Sequence, residues 1–125
     1  MAGRTILVVD DDPGIVTLIV TMLKKDGYTT VSALTGPQAL EQYERARPDL
    51  ILLDLAMPGM DGFDILKEIR RRDRLAGRYT LVLLLTAHVQ SYFPANGREV
   101  DADGYIAKPV TASKLRRDLQ AIFNR

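Results

Sequence analysis

The sequence predicts an α/β fold in which a doubly wound parallel sheet of five strands carries helices on both faces. Three stretches, residues 6–9, 50–53 and 81–85, are unbroken apolar runs with the length of strands buried on both faces. Segments of helical periodicity separate these runs, and such alternation of strand and helix is typical of a parallel sheet. The length of 125 residues suits one domain, which we expect to span residues 1–125.

The first part of the chain predicts a buried strand, a helix and an edge strand. The strand Thr5–Val9 is apolar and rich in β-branched residues. The helix that follows should begin with Asp12 as its N-cap and Pro13 as its first residue, and Gly27 is a suitable stop. Thr29–Ala33 mixes polar and apolar residues, as expected of a strand at the edge of a sheet.

The middle of the chain predicts two helices around the strand Leu50–Asp54. The first of them opens at Gly36-Pro37 and closes before Pro48. Asp54 should lie at the C-terminal end of its strand, because a carboxylate inside a buried strand is costly. A turn over residues 58–62 then leads into the next helix. Its predicted buried face is Phe63, Leu66 and Ile69, and its predicted opposite face is Lys67, Glu68, Arg70 and Arg71.

The last part of the chain predicts two strands with an irregular connection between them. Thr80–Thr86 contains the longest apolar run and should be an interior strand. The helix due over residues 89–100 is predicted to be short or irregular and its segment mobile, because a proline and an Asn-Gly pair interrupt it. Tyr105–Ala107 is a short strand, and Thr111 is the candidate cap of the last helix. The predicted buried face of that helix is Leu115, Leu119, Ile122 and Phe123.

The predicted strand order is the flavodoxin-like order 2-1-3-4-5. It places the three strongly apolar strands inside the sheet and the polar second strand and short fifth strand at its edges. The order reverses between the first and third strands, and ligands of such sheets bind at this point, outside the carboxyl ends of the strands.

Polar side chains follow four of the five predicted strands. Asp10 and Asp11 come directly after the first strand, Asp54 and Thr86 end the third and fourth, and Lys108 follows the fifth. Because parallel strands place their C-terminal ends on one edge of the sheet, we expect these five residues to converge there. Three neighbouring carboxylates repel one another and require a counter-charge. Mg²⁺, or the similar Mn²⁺, fits this oxygen-rich site, and a central carboxylate can act as nucleophile toward a phosphoryl group.

Four motifs in this chain resemble those of a response-regulator receiver domain of two-component signalling. They occur in the receiver order and at receiver-like intervals, and the resemblance extends over nearly the whole chain. The motifs are Val8-Val9-Asp10-Asp11-Asp12-Pro13, Asp54-Leu55-Ala56-Met57-Pro58-Gly59-Met60-Asp61-Gly62, Thr86-Ala87 and Tyr105-Ile106-Ala107-Lys108-Pro109.

The resemblance implies that Asp54 accepts a phosphoryl group from a phosphohistidine on a histidine kinase or a histidine phosphotransfer protein. It implies that Asp11 and Asp54 bind Mg²⁺ directly, that Asp10 binds it partly through water, and that the Ala56 carbonyl completes the protein ligands. On the same basis Lys108 contacts the phosphoryl oxygens and the Lys108-Pro109 peptide is cis.

The resemblance also implies a switch. Thr86 moves toward the phosphoryl group and Tyr105 rotates inward, which changes partner binding through the face formed by residues 89–100, the fifth strand and the last helix. We therefore expect a stand-alone phosphoaccepting receiver, without an output domain in this chain. Its chemistry would be limited to self-catalysed phosphoryl acceptance and autodephosphorylation.

Composition excludes several other classes of protein. Without cysteine, and with His88 as its one histidine, the chain can form neither disulfides, thiolate sites nor a multi-histidine metal site. A net charge of +1 gives no field for nucleic acid, and we interpret the basic run of residues 70–72 as a solvated helix end rather than a binding patch. No apolar run has the length of a membrane span, and residues 1–4 do not begin a signal peptide, so we expect a cytoplasmic protein. His88 is interpreted as an exposed loop residue.

Two other functions are compatible with parts of the pattern. A Mg²⁺-dependent phosphohydrolase of the haloacid-dehalogenase kind also forms an aspartyl phosphate, but it needs a second acid two residues after the nucleophile, where this chain has Ala56. An interaction module independent of phosphorylation would keep the fold without using the acids, and the irregular segment 89–100 mildly favours it. Ala56 also replaces the longer side chain that many receivers carry near the attacking water, which predicts a long-lived phosphorylated state.

Overall fold

Five parallel strands form one sheet, in which the first to fifth strands of the chain are arranged in the order 2-1-3-4-5. The computed structural model of the chain describes residues 3–55, 62–87 and 101–124. This strand order confirms the predicted topology and the prediction that the second and fifth strands lie at the edges of the sheet. The strands are β1 Thr5–Val9, β2 Thr29–Ala33, β3 Leu50–Asp54, β4 Leu81–Thr86 and β5 Gly104–Ala107.

The register of the strands brings their C-terminal ends to one level of the sheet. Val9 at the end of β1 is paired with Ala33 of β2 and with Leu53 of β3. On the other side of β3, Asp54 is paired with Leu85 of β4, and Thr86 at the end of β4 is paired with the last residue of β5. Residues directly after these ends therefore share one edge of the sheet, as the sequence predicts.

Four helices within the described residues cover the two faces of the sheet. They are α1 Pro13–Lys25, α2 Gly36–Ala46, α3 Gly62–Ala76 and α4 Ala112–Phe123. One apolar cluster packs α2 and α3 against one face, and a second packs α1 and α4 against the other. Successive side chains of β1 and β3 point alternately into the two clusters, which is why these strands are apolar without a break.

The helix ends follow from local side-chain chemistry. Asp12 caps α1 by accepting a hydrogen bond from the Gly14 amide, and Thr35 and Thr111 cap α2 and α4 in the same manner. Gly27, just after α1, has a φ of +91°, a conformation that favours glycine. The predicted caps Asp12 and Thr111 and the predicted stop are confirmed.

The prediction for Arg70 is wrong, because the structure buries this side chain to 4% exposure instead of placing it on the solvated face of α3. Its guanidinium lies 3.1 Å from Asp103 and 3.5 Å from Asp73, and it donates to the Thr80 and Asp101 carbonyl oxygens. A charge on an apolar helix face is tolerated when carboxylates and carbonyls accept its hydrogen bonds.

The partners of Arg70 form a polar cluster at the N-terminal edge of the sheet, opposite to the predicted site. Asp73 accepts hydrogen bonds from the Thr80 amide at 2.7 Å and from the Tyr43 hydroxyl. Asp103 accepts from the Val82 amide at 2.8 Å and so ties the residue before β5 to the start of β4. This Arg70 cluster joins α2, α3 and the starts of β4 and β5 within the core.

The predicted irregular helix, the mobility of residues 89–100 and the exposure of His88 lie outside the described residues. Among the helices that the structure describes, none combines the length and apolar character that a membrane crossing requires.

Candidate functional site

The predicted acids converge at the C-terminal edge of the sheet. Asp10 directly follows β1 and is 1% exposed, Asp54 ends β3 and is 3% exposed, and Asp11 is exposed. One carboxylate oxygen from each lies within 4.8 Å of one from each of the other two. The Asp10 carboxylate also accepts a hydrogen bond from the Asp12 amide at 3.0 Å, which orients it at the start of α1. The predicted grouping of these three side chains is therefore present.

Lys108 supplies the positive charge that the sequence predicts at this edge. Its Nζ lies 3.0 Å from Asp10 Oδ2 and 3.4 Å from Asp54 Oδ1. Its backbone amide donates to the Thr86 carbonyl at 2.9 Å, and the Lys108-Pro109 peptide is cis, as expected from the resemblance. Burial by itself would lower the pKa of the Lys108 ammonium, but the hydrogen bond to Asp10 and the charges of Asp54 and Asp10 outweigh it, so that the pKa is raised.

The two predicted switch residues occupy neighbouring strands. Thr86 is buried at the end of β4, beside the site, and Tyr105 on β5 is 49% exposed. The β4–β5 pairing joins them, because Leu84 is paired with Tyr105 and Thr86 with Ala107. The predicted Ala56 carbonyl ligand lies outside the described residues.

Gly62 begins α3 in close contact with the end of β3, a role that its turn composition alone does not reveal. Its amide donates to the Leu55 carbonyl at 3.1 Å. A Cβ at this position would lie 2.6 Å from the Asp54 carbonyl oxygen and 2.7 Å from the Leu55 Cα, closer than side-chain carbons approach backbone. Only glycine fits where the start of α3 crosses the end of β3.

An apolar groove of about 400 Å³ borders the site on the side of α1. It is lined by Ile15, Leu18, Ile19, Ala87, Lys108, Pro109 and Val110. Leu18 follows the helical spacing of the apolar face of α1 but is half exposed in this groove. Helical periodicity identifies Leu18 as apolar-facing, but it cannot distinguish a groove wall from the core.

The donor set suits a hard divalent cation. Three carboxylates and one ammonium leave a net negative charge at the edge of the sheet, and all of the acidic ligand atoms are oxygens. Mg²⁺ prefers such oxygen ligands, is typically bound by one or two carboxylates and retains water molecules that a phosphate oxygen can replace. The residues present therefore fit this ion.

The fold and the site together define a receiver-type phosphoacceptor architecture, in which acids from β1 and β3 face a lysine after β5. The family model for the response regulator receiver domain matches residues 6–120, and this chain belongs to that family. It is 35% identical over 123 residues to the alkaline phosphatase synthesis transcriptional regulatory protein PhoP of Bacillus subtilis, covering 98% of this chain and 50% of PhoP. It is 36% identical over 122 residues to the DNA-binding response regulator MtrA of Mycolicibacterium smegmatis, covering 98% of this chain and 51% of MtrA. The chain thus spans about half the length of these curated relatives.

Solved receiver structures share the fold over at least 95% of this chain. The receiver domain of the sensor histidine kinase PA1611 from Pseudomonas aeruginosa, solved with a magnesium ion coordinated in its active-site cleft, matches with a TM-score of 0.86 and 35% identity, covering 99% of this chain and all of that one. The response regulator TrrA from Thermotoga maritima in complex with Mg²⁺-BeF matches with a TM-score of 0.80 and 31% identity, covering 95% of this chain and 98% of that one. The chain is a receiver domain of the two-component response-regulator class.

Proposed function

We propose that residues 1–125 form one cytoplasmic receiver domain in which Asp54 accepts a phosphoryl group from a phosphohistidine. The observation that carries the proposal is the position of the Lys108 ammonium, 3.0 Å from Asp10 and 3.4 Å from Asp54, at the edge where Asp11 also lies. A buried carboxylate beside a fixed cation and two further acids has the groups that phosphoryl acceptance requires.

The residues that would hold Mg²⁺, or Mn²⁺, are Asp11 and Asp54 directly, Asp10 partly through water, and the backbone carbonyl of Ala56. When bound, the ion supplies positive charge to the equatorial oxygens of the transferred group. Asp10 would also position its neighbours, because it accepts hydrogen bonds from the Lys108 ammonium and from the Asp12 amide and so fixes the side of the site that faces α1.

In the proposed transfer, a carboxylate oxygen of Asp54 attacks phosphorus and forms the new O–P bond. The N–P bond to the donor histidine breaks, and its electron pair returns to the imidazole nitrogen. Lys108 then contacts the phosphoryl oxygens, and Thr86 contributes a hydroxyl donor from the end of β4. Water later attacks phosphorus without a separate catalyst, the O–P bond to Asp54 breaks, and inorganic phosphate leaves while the Asp54 carboxylate is regenerated. We expect this step to be slow, because Ala56 does not orient that water.

The phosphodonor should be a histidine kinase or a histidine phosphotransfer protein. Its histidine must reach Asp54, so its surface has to cover the rim of the site. The apolar groove beside Lys108 and Pro109 provides a continuous surface for an apolar helix of such a donor, with Leu18 half exposed on its wall. The proposed readout is a change at Thr86 and Tyr105 that alters binding of a downstream protein to the face containing β5 and α4.

Incubation with acetyl phosphate and Mg²⁺, followed by intact-mass measurement, tests the proposal. We expect the mass of one phosphoryl group to be added to the wild type and none to Asp54→Asn. Asp12→Asn is the matched control, because asparagine also caps a helix and Asp12 is not among the proposed ligands. Phosphorylation of Asp54→Asn equal to that of the wild type would overturn the proposal. A wild type that is never phosphorylated would favour the interaction module, and sustained hydrolysis of a generic phosphate ester would favour the phosphohydrolase.

A further inference from the structure

Lys114 on α4 contacts the backbone on both sides of Lys108. Its Nζ lies 3.0 Å from the Ala107 carbonyl oxygen and 3.2 Å from the Pro109 carbonyl oxygen, so that one ammonium joins the residue before Lys108 to the residue after it. These contacts connect α4 to the loop that carries the site lysine. In the part of the chain that the structure describes, the backbone of Lys108 makes one hydrogen bond to β4, from its own amide to the Thr86 carbonyl oxygen.

The position of Lys114 in its helix is unfavourable on local grounds. Thr111 is the N-cap of α4 and its hydroxyl accepts from the Lys114 amide, which makes Lys114 the third residue of the helix. A cation in the first turn opposes the helix dipole, and acidic side chains are the ones stabilised there. The two loop carbonyls offset this cost by accepting the hydrogen bonds of the ammonium. A residue that is unfavourable locally and is compensated by contacts next to a site is a candidate for a role in that site.

We propose that Lys114 is a positioning residue, which fixes the Ala107–Pro109 loop so that the Lys108 ammonium stays within reach of Asp10 and Asp54. The inference rests on the proposed function, because it assigns Lys114 a role in the phosphoryl chemistry of the same site. It also makes α4 a physical link between the site and the face that is proposed to bind a downstream partner. Displacement of α4 by a partner would then move Lys108 and change the rate of phosphorylation.

The test compares Lys114→Met with Lys114→Arg in the intact chain, using acetyl phosphate and Mg²⁺ so that no protein donor is involved. Methionine keeps the aliphatic stem and removes the donors, whereas arginine keeps them. We expect the methionine variant to be phosphorylated about tenfold more slowly, less than the roughly hundredfold that a 1 Å misplacement can cost, and the arginine variant to be near the wild-type rate. Arg117→Met is the matched control, because Arg117 lies on the same helix and its side chain is 72% exposed.

A second measurement separates positioning from a general loss of stability. We expect the Lys108 amide to exchange with deuterium faster in Lys114→Met, whereas the amides of β1 exchange as in the wild type. Equal phosphorylation rates and equal Lys108 exchange in the wild type and in Lys114→Met would overturn this inference. If the wild type accepts no phosphate at all, the proposed function fails, and the amide exchange still reports whether Lys114 holds the loop.

Discussion

Replacement of Arg70 by methionine should cost more stability than replacement of any exposed arginine of the same helix. Arg70 is buried to 4% exposure. Asp73 and Asp103 are the two little-exposed carboxylates that face its guanidinium, and the 66% exposed carboxylate of Asp101 lies 3.6 Å from it. Methionine keeps an unbranched apolar stem but leaves Asp73 and Asp103 without this cation, and breaking a buried ion pair in this manner costs about 3–5 kcal/mol. A domain of this size has about 6–19 kcal/mol of stability in total, so that the loss is a large fraction of it.

Equilibrium unfolding in urea, followed by far-ultraviolet circular dichroism, measures this loss directly. The same change should lower the melting temperature by about 12–20 °C, at about 4 °C per kcal/mol for a chain of this length. Arg71→Met is the control, because Arg71 is the next residue in the chain and forms an ion pair with Glu68 while 55% exposed. Its loss should be small. Arg70→Lys should fall between the two, since it keeps the charge but not the fork that reaches several acceptors at once.

An Arg70→Met variant that is no less stable than Arg71→Met would refute this expectation. That result would mean that solvent already screens the guanidinium, or that Asp73 and Asp103 find other partners at no cost. An intermediate outcome, with Arg70→Lys as stable as the wild type, would show that the charge matters and the geometry of the fork does not.

Three further predictions concern single side chains of the core and the site. Tyr43→Phe should lose about 1.5–3 kcal/mol of stability, because the hydroxyl donates to the buried carboxylate of Asp73. Burial first, and then the hydrogen bond to Asp73, raise the pKa of Tyr43 to about 12. The stability difference between the wild type and Tyr43→Phe should therefore be complete below pH 10 and disappear as the pH rises toward 12. A stability difference that is constant with pH in urea unfolding would contradict this prediction. Gly62→Ala should destabilise the fold by about 1–3 kcal/mol and slow phosphorylation, because the added Cβ would lie 2.6 Å from the Asp54 carbonyl oxygen, and an unchanged urea midpoint would show that the backbone yields freely. Lys108→Met should bind Mg²⁺ about tenfold more tightly in titration calorimetry, because an ammonium 3.0–3.4 Å from two of the acids repels a dication. Weaker binding would mean that Lys108 orients the ligands instead.

The sheet could be predicted from the sequence because its signals are local. Unbroken apolar runs identified the interior strands, partial polarity identified β2 as an edge, and Asp12, Gly27 and Thr111 mark helix ends by their own side-chain or backbone chemistry. The grouping of the acids with Lys108 follows from the same information. Once the strands are parallel, every residue just after a strand lies on one edge, and no loop needs to be known.

The burial of Arg70 could not be predicted in this way. Its neighbours Arg71 and Arg72 are exposed or half-buried and pair with Glu68, so the basic run looks uniform in the sequence. The partners of Arg70 come from the end of α3 and from residues just before β4 and β5, and their convergence depends on loop paths rather than on strand order. Lys114 carried a weak signal that could have been read, since a lysine in the first turn of a helix contradicts the dipole.

The two edges of the sheet differ in charge balance, and this difference separates a structural cluster from a chemical one. At the N-terminal edge the little-exposed carboxylates of Asp73 and Asp103 are matched by two guanidinium groups, those of Arg70 and of Arg78, which lies 4.0 Å from Asp73. A third carboxylate, Asp101, lies 3.6 Å from Arg70 but is 66% exposed, so that water solvates it. At the C-terminal edge the three grouped carboxylates of Asp10, Asp11 and Asp54 are accompanied by the ammonium of Lys108, which contacts Asp10 and Asp54, and this leaves an excess of two negative charges among these four residues.

The Arg70 cluster is not stabilised by a further cation, because its buried carboxylates are already paired with arginines and an added cation would have to displace one of them. The cluster with excess negative charge is stabilised by a dication and then by the anionic phosphoryl group that the dication attracts. Among the described residues, Asp10, Asp11 and Asp54 are the acids grouped closely enough to hold a metal ion. We therefore expect Mg²⁺ to raise the melting temperature of the wild type and of Arg70→Lys by the same amount, and to leave Asp11→Asn nearly unchanged. A loss of the Mg²⁺ effect in Arg70→Lys would show that the two edges are coupled and that charge balance alone does not distinguish them.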